Sequence, residues 1–266
     1  MKKLVSLLLV CLWMLQVLVP VSAREDTSLS DIQKSGVIRI GITGAFPPSN
    51  YHENGDGELT GYEVEATKAI IDALPGDIKI EWVEMKFSSL IGALDSGRID
   101  AIFHSMGITE ERAEAYDFTL PYFRSTYAVL VNDKSDLHKL ADLKGKKAAQ
   151  SITTSTGKVA ESLGATIVPI ETVKEAVDLV VQGRADFYIA DKTGTQYFLQ
   201  QQKDLPVHIM EEEMKIPHEI GAVLPKGADQ LRDALNEAIK QKTKDGSLSE
   251  IYLKYLDRDI AVPEFK

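Results

Sequence analysis

From Gly36 onward, short apolar runs rich in β-branched residues alternate with longer stretches in which apolar positions recur every three or four residues. Alternation of this kind predicts parallel sheets with helices laid on their faces. Val37 to Thr43 reads as a first strand. Thr60-Gly61-Tyr62-Glu63 has the spacing of a capping box, and Tyr62, Ala66, Ala69, Ile70 and Ala73 share one face of the helix behind it. Ile78 to Val83 is the second strand. Ser88 is a candidate cap for a helix whose Leu90, Ile91 and Leu94 face inward and whose end is marked by Gly97. With Ile99 to Phe103 as a third strand, the run fits one half of a doubly wound sheet.

The pattern then repeats. Leu94-Asp95-Ser96-Gly97-Arg98-Ile99-Asp100-Ala101 is echoed by Val180-Val181-Gln182-Gly183-Arg184-Ala185-Asp186-Phe187, each where a helix meets a strand, and Thr172 starts the second helix as Ser88 starts the first. A glycine beside a basic residue is also ordinary helix-ending chemistry. The wide separation of the copies suits two α/β lobes, not a solenoid. Tyr127 to Val131 forms a strand leaving the first lobe and Ile220 to Leu224 one returning to it, after which amphipathic helices over 229–242 and 248–256 pack back. The expected lobes are therefore 24–126 with 220–266, and 127–219, joined by hinges near 125–131 and 216–221. Clefts at such junctions are where small ligands bind.

The first 23 residues stand apart from this pattern. Met1-Lys2-Lys3 precedes an uncharged apolar run ending in Pro20-Val21-Ser22-Ala23. That is the make-up of a secretory signal peptide cleaved after Ala23, although a run of this length also suffices for a membrane anchor. Cys11, the only cysteine, lies inside it, so the mature chain is expected to have no disulfide, thiolate metal site or cysteine nucleophile. At 44% hydrophobic and 26% charged residues the composition is that of a folded globular protein, which excludes disorder. The net charge of −10 argues against nucleic acid, whose phosphates are held by Lys and Arg.

Candidate chemistry begins at Ser105-Met106-Gly107-Ile108-Thr109-Glu110-Glu111-Arg112, where a strand ends and, with Thr109 as cap, a helix starts. Arg112 would sit near the carboxyl ends of parallel strands, where open α/β sheets bind ligands, and would offer a planar fork of donors to a carboxylate. The plain alternative is a surface ion pair with Glu110, Glu111 or Asp117.

Taken in order, several stretches have a familiar form: Arg39-Ile40-Gly41 with Pro48; Gly57-Glu58-Leu59-Thr60-Gly61-Tyr62-Glu63-Val64; Gly97-Arg98-Ile99-Asp100-Ala101; Ile108-Thr109-Glu110-Glu111-Arg112; Tyr116-Asp117-Phe118 with Pro121-Tyr122; and Asp142-Leu143-Lys144-Gly145-Lys146. Across nearly the whole mature chain the sequence resembles the family 3 extracellular solute-binding proteins, the polar amino acid receptors of ABC uptake systems. The stretch Ala149-Gln150-Ser151-Ile152-Thr153-Thr154 is most similar to cystine-type members. The resemblance implies an α/β, two-lobed periplasmic binding protein fold of type II, each lobe a mainly parallel sheet with flanking helices, with two hinge crossings. It implies an extracytoplasmic, monomeric receptor without cofactor or metal that hands a free amino acid to an ABC permease, with no role in nucleic-acid binding.

Residue by residue, the resemblance assigns Arg112 to the ligand α-carboxylate and Asp191 to its α-ammonium group. Phe46 and Phe87 would enclose the ligand, Ser105 and Gly107 would hydrogen-bond it, and Thr153, Thr154 and Ser155 would meet the carboxylate from a helix start. Apart from the family, Phe46 and Phe87 read equally as core aromatics, and Asp191, Thr154 and Ser155 as plain helix caps. Where receptors of basic amino acids carry an acid before the first aromatic, this chain has Thr43, which disfavours a cationic ligand. His104 stands where relatives are small or polar; it would either donate to the ligand or fill the pocket floor, and its charge would make affinity vary with pH. The same fold hosts dehydratases of cyclic carboxylic acids such as prephenate and arogenate. For those, His104 is the only histidine at a matched pocket position, and the five histidines form no i, i+4 pair. A third expectation, a sensing module coupled to a partner domain, finds no signalling segment after the last helix.

Overall fold

A computed structural model describes residues 26–152 and 154–265; the expected leader, 1–23, and Thr153 lie outside them. Helix α1 (Ser28–Ser35) leads into β1 (Val37–Ile42), and β2 (Ala45–Phe46), β3 (Asn50–His52) and β4 (Leu59–Thr60) form a small antiparallel sheet beside it. Then come α2 (Tyr62–Asp72), β5 (Lys79–Glu84), α3 (Leu90–Asp95), β6 (Ala101–Ile102), α4 (Glu110–Ala115) and β7 (Asp117–Phe118). The long strand β8 (Phe123–Asn132) opens a second unit of β9 (Lys147–Gln150), α5 (Ser155–Ser162), β10 (Thr166–Pro169), α6 (Val173–Val181), β11 (Phe187–Asp191), α7 (Lys192–Gln201), β12 (Val207–Ile209) and β13 (Met214–Ile220). The chain closes with β14 (Val223–Leu224), α8 (Asp229–Lys244) and α9 (Ser247–Leu256).

Two large sheets result, ordered β5-β1-β6-β14-β7 and β10-β9-β11-β8-β12, with β13 also on β8. Each is mixed. Strands joined through a helix are parallel (β5-β1-β6 and β10-β9-β11), whereas β8, which enters the second sheet, and β13, which leaves it, run antiparallel to their neighbours. A helical crossover reverses the chain between strands and makes them parallel, while direct entry and exit of one chain must oppose each other. The sheets have separate cores. Ile38, Ile40, Tyr62, Ile70, Tyr122 and Phe123 pack with Leu235, Ile239, Leu248 and Tyr252, so the last two helices cover the first sheet. Tyr127, Val129, Phe187, Ile189 and Met214 belong to another cluster around the second.

The repeated Gly-Arg-x-Asp has one structural job in both sheets. Gly97 and Gly183 end their helices with φ of 66° and 69°, a left-handed turn that costs glycine little. The aspartate three residues on then clips the helix end to the sheet's other parallel strand. The Asp100 carboxylate accepts from Arg39 N–H at 2.8 Å, and the Asp186 carboxylate from Lys147 N–H at 2.6 Å.

Two expected caps are corrected. The N-cap of α2 is Gly61, with no side-chain cap, and the Glu63 side chain turns inward instead of closing a capping box. Ser88 lies inside a 3-10 turn, Phe87–Ser89, that precedes α3, and no side chain caps that helix. Thr109 and Thr172 do cap, accepting from Arg112 N–H and Glu175 N–H.

Candidate functional site

Where β8 and β13 run between the sheets, the ends of α4, β11 and α5 bring several sequence-expected residues together with two that were not expected. Arg112, in the first turn of α4, donates from Nη1 to the Gly107 carbonyl at 2.9 Å. It makes no ion pair among the described residues, because its alternatives are engaged elsewhere: Glu111 pairs with Lys158, and Asp117 with Lys226. Burial pushes the Arg112 pKa down from its usual value, the cost of holding a guanidinium away from water without a carboxylate beside it. Asp191 is the N-cap of α7; Oδ1 accepts from Gly194 N–H at 2.9 Å, while Oδ2 stands 4.0 Å from His218 Nδ1.

Tyr127 of β8 and His218 of β13 lie between these charges. Their ring centroids are 4.8 Å apart with planes at 31°. Burial raises the Tyr127 pKa; its hydrogen bond to Ser155 Oγ at 3.3 Å and the charge of Arg112 pull it down, and Asp191 pushes it up. Burial likewise lowers the His218 pKa, with Asp191 raising it and Arg112 lowering it. Each ring therefore feels both the acid and the arginine, so Arg112, Asp191, Tyr127 and His218 share one neighbourhood although Arg112 and Asp191 do not pair with each other. Gly107 is closed against it: a Cβ there would fall 2.4 Å from His218 Nε2. Thr154 is committed to capping α5, accepting from Gly157 N–H at 3.1 Å and donating to the Ser151 carbonyl at 2.8 Å.

A second group lies in the first sheet's half. The Phe46 and Phe87 rings both pack on His104, at centroid distances of 5.7 and 5.4 Å, and Phe87 remains 40% exposed. His104 is buried; its Nδ1 accepts from Asn50 Nδ2 at 3.0 Å. Asn50 is oriented by Thr43, whose hydroxyl donates to Oδ1 at 3.0 Å, and by Gly44 N–H at the same oxygen. That bond leaves the proton of a neutral His104 on Nε2. Burial lowers its pKa, with Glu63 raising it. His104 thus forms a buried floor behind the Phe46 and Phe87 rings.

Behind that floor Glu63 is fully buried and accepts five hydrogen bonds, from Ser49 Oγ (2.5 Å), Asn50 Nδ2 (3.3 Å), Ser105 N–H (2.5 Å), Ser105 Oγ (3.0 Å) and Tyr122 Oη (2.5 Å). It holds Ser105 at φ 37°, a left-handed conformation uncommon outside glycine. The Ser105 hydroxyl thus donates inward, to Glu63 Oε2. His218 carries no motif that would single it out in sequence, and the motifs that contain Glu63 point to a helix cap, not to this buried network. Glu63 could have been suspected only from its odd place in an otherwise apolar helix face.

The arrangement as a whole offers a guanidinium with one hydrogen bond and no ion pair, a half-used carboxylate, and an aromatic wall, among the described residues. Comparison with known proteins agrees with that outline. Residues 38–258 match the model of the bacterial extracellular solute-binding proteins, family 3. The L-cystine-binding protein TcyA of Bacillus subtilis (strain 168) is 31% identical over 241 residues, covering 90% of this chain and 88% of that protein. The crystal structure of the L-cystine solute receptor of Neisseria gonorrhoeae in its unliganded open conformation is 29% identical, covers 88% of this chain and 99% of its own, and superposes with a TM-score of 0.64. An ancestral arginine-binding protein bound to glutamine is 30% identical, covers 84% and 99%, and superposes with a TM-score of 0.74. With a two-lobed α/β fold and a family match over most of its length, the chain belongs to the bacterial extracellular solute-binding proteins of family 3.

Proposed function

We propose that this protein is an extracytoplasmic receptor that captures one free amino acid between two lobes, 24–126 with 220–266 and 127–219, and delivers it to an ABC permease. A leader cleaved after Ala23 would export it, and it would act as a monomer. The observation that carries the reading is the separation of charge: among the described residues, Arg112 has a half-buried fork with no carboxylate partner and Asp191 keeps Oδ2 unbonded. A zwitterion supplies a carboxylate for one and an ammonium for the other. Because the two groups come from different sheets, the ligand binds best when both are brought to it, which couples capture to closure. Micromolar affinity amounts to about −8 kcal/mol, within reach of two charge-assisted clamps and aromatic enclosure.

A neutral, polar or acidic ligand fits better than a basic one. Thr43 brings no negative charge, its hydroxyl is bonded to Asn50, and the nearby Glu63 is fully occupied. Cystine-binding and arginine-binding relatives stand at similar identity, so the side-chain end of the ligand rests on these residues. The ligand leaves unchanged. The test is calorimetric titration and thermal shift with the twenty amino acids and cystine. One class should raise the melting temperature and be recovered intact by mass spectrometry. Silence from the whole panel would falsify the receptor reading, and strongest binding by arginine or lysine would overturn the ligand class alone.

A further inference from the structure

His218 has no part in the clamp just described, yet it occupies the space between its members. It sits opposite Ser125 in the β13-β8 ladder, on the strand pair that joins the two sheets. Tyr127 covers one face of its ring and Nε2 lies against Gly107. Nδ1 is buried and makes no hydrogen bond among the described residues. Native folds rarely leave such an atom unpaired, because burial strips its water without replacing it.

The one charged oxygen near it is Asp191 Oδ2, at 4.0 Å, too far for a direct hydrogen bond. That gap has a useful width. A nitrogen placed about 2.9 Å from both atoms would close a triangle with an apex of about 90°, which two N–H bonds of one tetrahedral ammonium can span; Nδ1 is closed to water in this geometry, so the ammonium would enter as the side chains around it part. We infer that His218 is a ligand-binding residue: its Nδ1 lone pair and Asp191 Oδ2 together receive the α-ammonium group of the bound amino acid. The inference rests on the receptor reading above. Proton placement follows from it, with the imidazole hydrogen on Nε2 facing Gly107 and the ammonium donating to Nδ1. Protonated His218 would carry a donor at Nδ1, repel the ammonium and draw Asp191 to itself. Arg112 opposes that protonation and Asp191 favours it; Tyr127, the remaining titratable neighbour, stays neutral well above pH 7.

The test uses the tightest ligand among the twenty amino acids and cystine, its des-amino analogue, and three proteins: wild type, His218→Phe and His218→Asn. His218→Phe keeps a ring against Tyr127 but has no acceptor; it should weaken the amino acid about tenfold to a hundredfold and the des-amino analogue by about twofold at most. His218→Asn, which places an oxygen near Nδ1, should recover most of the loss. Wild-type affinity should fall between pH 7.5 and 5.5, and the fall should flatten in both variants. Unchanged affinity in His218→Phe, or equal losses for the amino acid and its des-amino analogue, would make His218 a packing residue and overturn the inference. If wild type binds no member of the panel, the receptor reading itself fails and this inference with it.

Discussion

Glu63 and Asp191 are both acids, one in the first sheet's half and one at the end of β11 in the second, and they are treated in opposite ways. Glu63 is fully buried and receives five hydrogen bonds from β3, β6-side and β8-side groups; Asp191 spends one oxygen on capping α7 and leaves the other facing the unpaired Nδ1 of His218. Close by, Arg112 keeps most of its fork unused. A buried polar network that is complete fixes the geometry around it, whereas one that is incomplete carries a penalty that a ligand can relieve. On the receptor reading proposed above, the two regions would divide the labour: the first would shape the pocket, and the second would take up the ligand's charges.

If that division holds, substitutions should separate into those that unfold and those that merely fail to bind. The largest effect belongs to Glu63→Ala. It orphans donors from Ser49, Ser105 and Tyr122 and should cost about 3–5 kcal/mol in urea unfolding; a loss under about 1 kcal/mol would show that the floor does not depend on this network. Arg112→Ala should do the reverse. With one hydrogen bond to lose, it should leave the melting temperature nearly unchanged while reducing amino acid affinity about a hundredfold, measured by calorimetry.

The pH dependence of stability is a subtler probe of the floor. His104 has its folded pKa depressed by burial below the unfolded value of about 6.5. Its contribution to stability is therefore complete above about pH 6.5 and is lost as pH falls through that value toward the folded pKa, where the unfolded chain binds the extra proton. His104→Gln should remove part of the drop in unfolding free energy between pH 7.5 and 5.5; an identical drop would place its origin elsewhere, His218 included. Smallest of all should be Lys158→Ala, which breaks the pair between α5 and Glu111 of α4. Both side chains are exposed and the pair is screened by salt, so melting temperature should scarcely move. A large effect there would mean that this pair ties the two sheets together more strongly than an exposed ion pair ordinarily does.

Local signals in the chain worked where the interaction itself is local. Thr109 and Thr172 cap the helices that follow them, and Gly97 and Gly183 end theirs, because each bond involved spans only a few residues. The same logic misread Thr60-Gly61-Tyr62-Glu63. A capping box competes with whatever else the glutamate can reach, and in the folded chain Glu63 reaches Ser105 and Tyr122, 42 and 59 positions away. That the Ser105 hydroxyl donates to Glu63 has no sign in the local sequence, because the two residues are 42 positions apart. For His104 the sequence leaves a ligand donor and a pocket floor equally open, and its packing under Phe46 and Phe87 is set by residues far from it along the chain.

Periodicity, glycine placement and the order of the motifs determined that this is an α/β protein of two sheets, and the family resemblance carried in those motifs named the right kind of molecule, because hydrophobic pattern and turn chemistry are properties of neighbouring residues. Which polar atoms would be satisfied and which left open was decided only by the tertiary structure. Glu63 meets its five donors, and His218 slides between Tyr127, Gly107 and Asp191, through contacts that exist only once distant strands are laid side by side. Hydrogen bonds are short-ranged, so no pattern along the chain can report them until folding has set the distances.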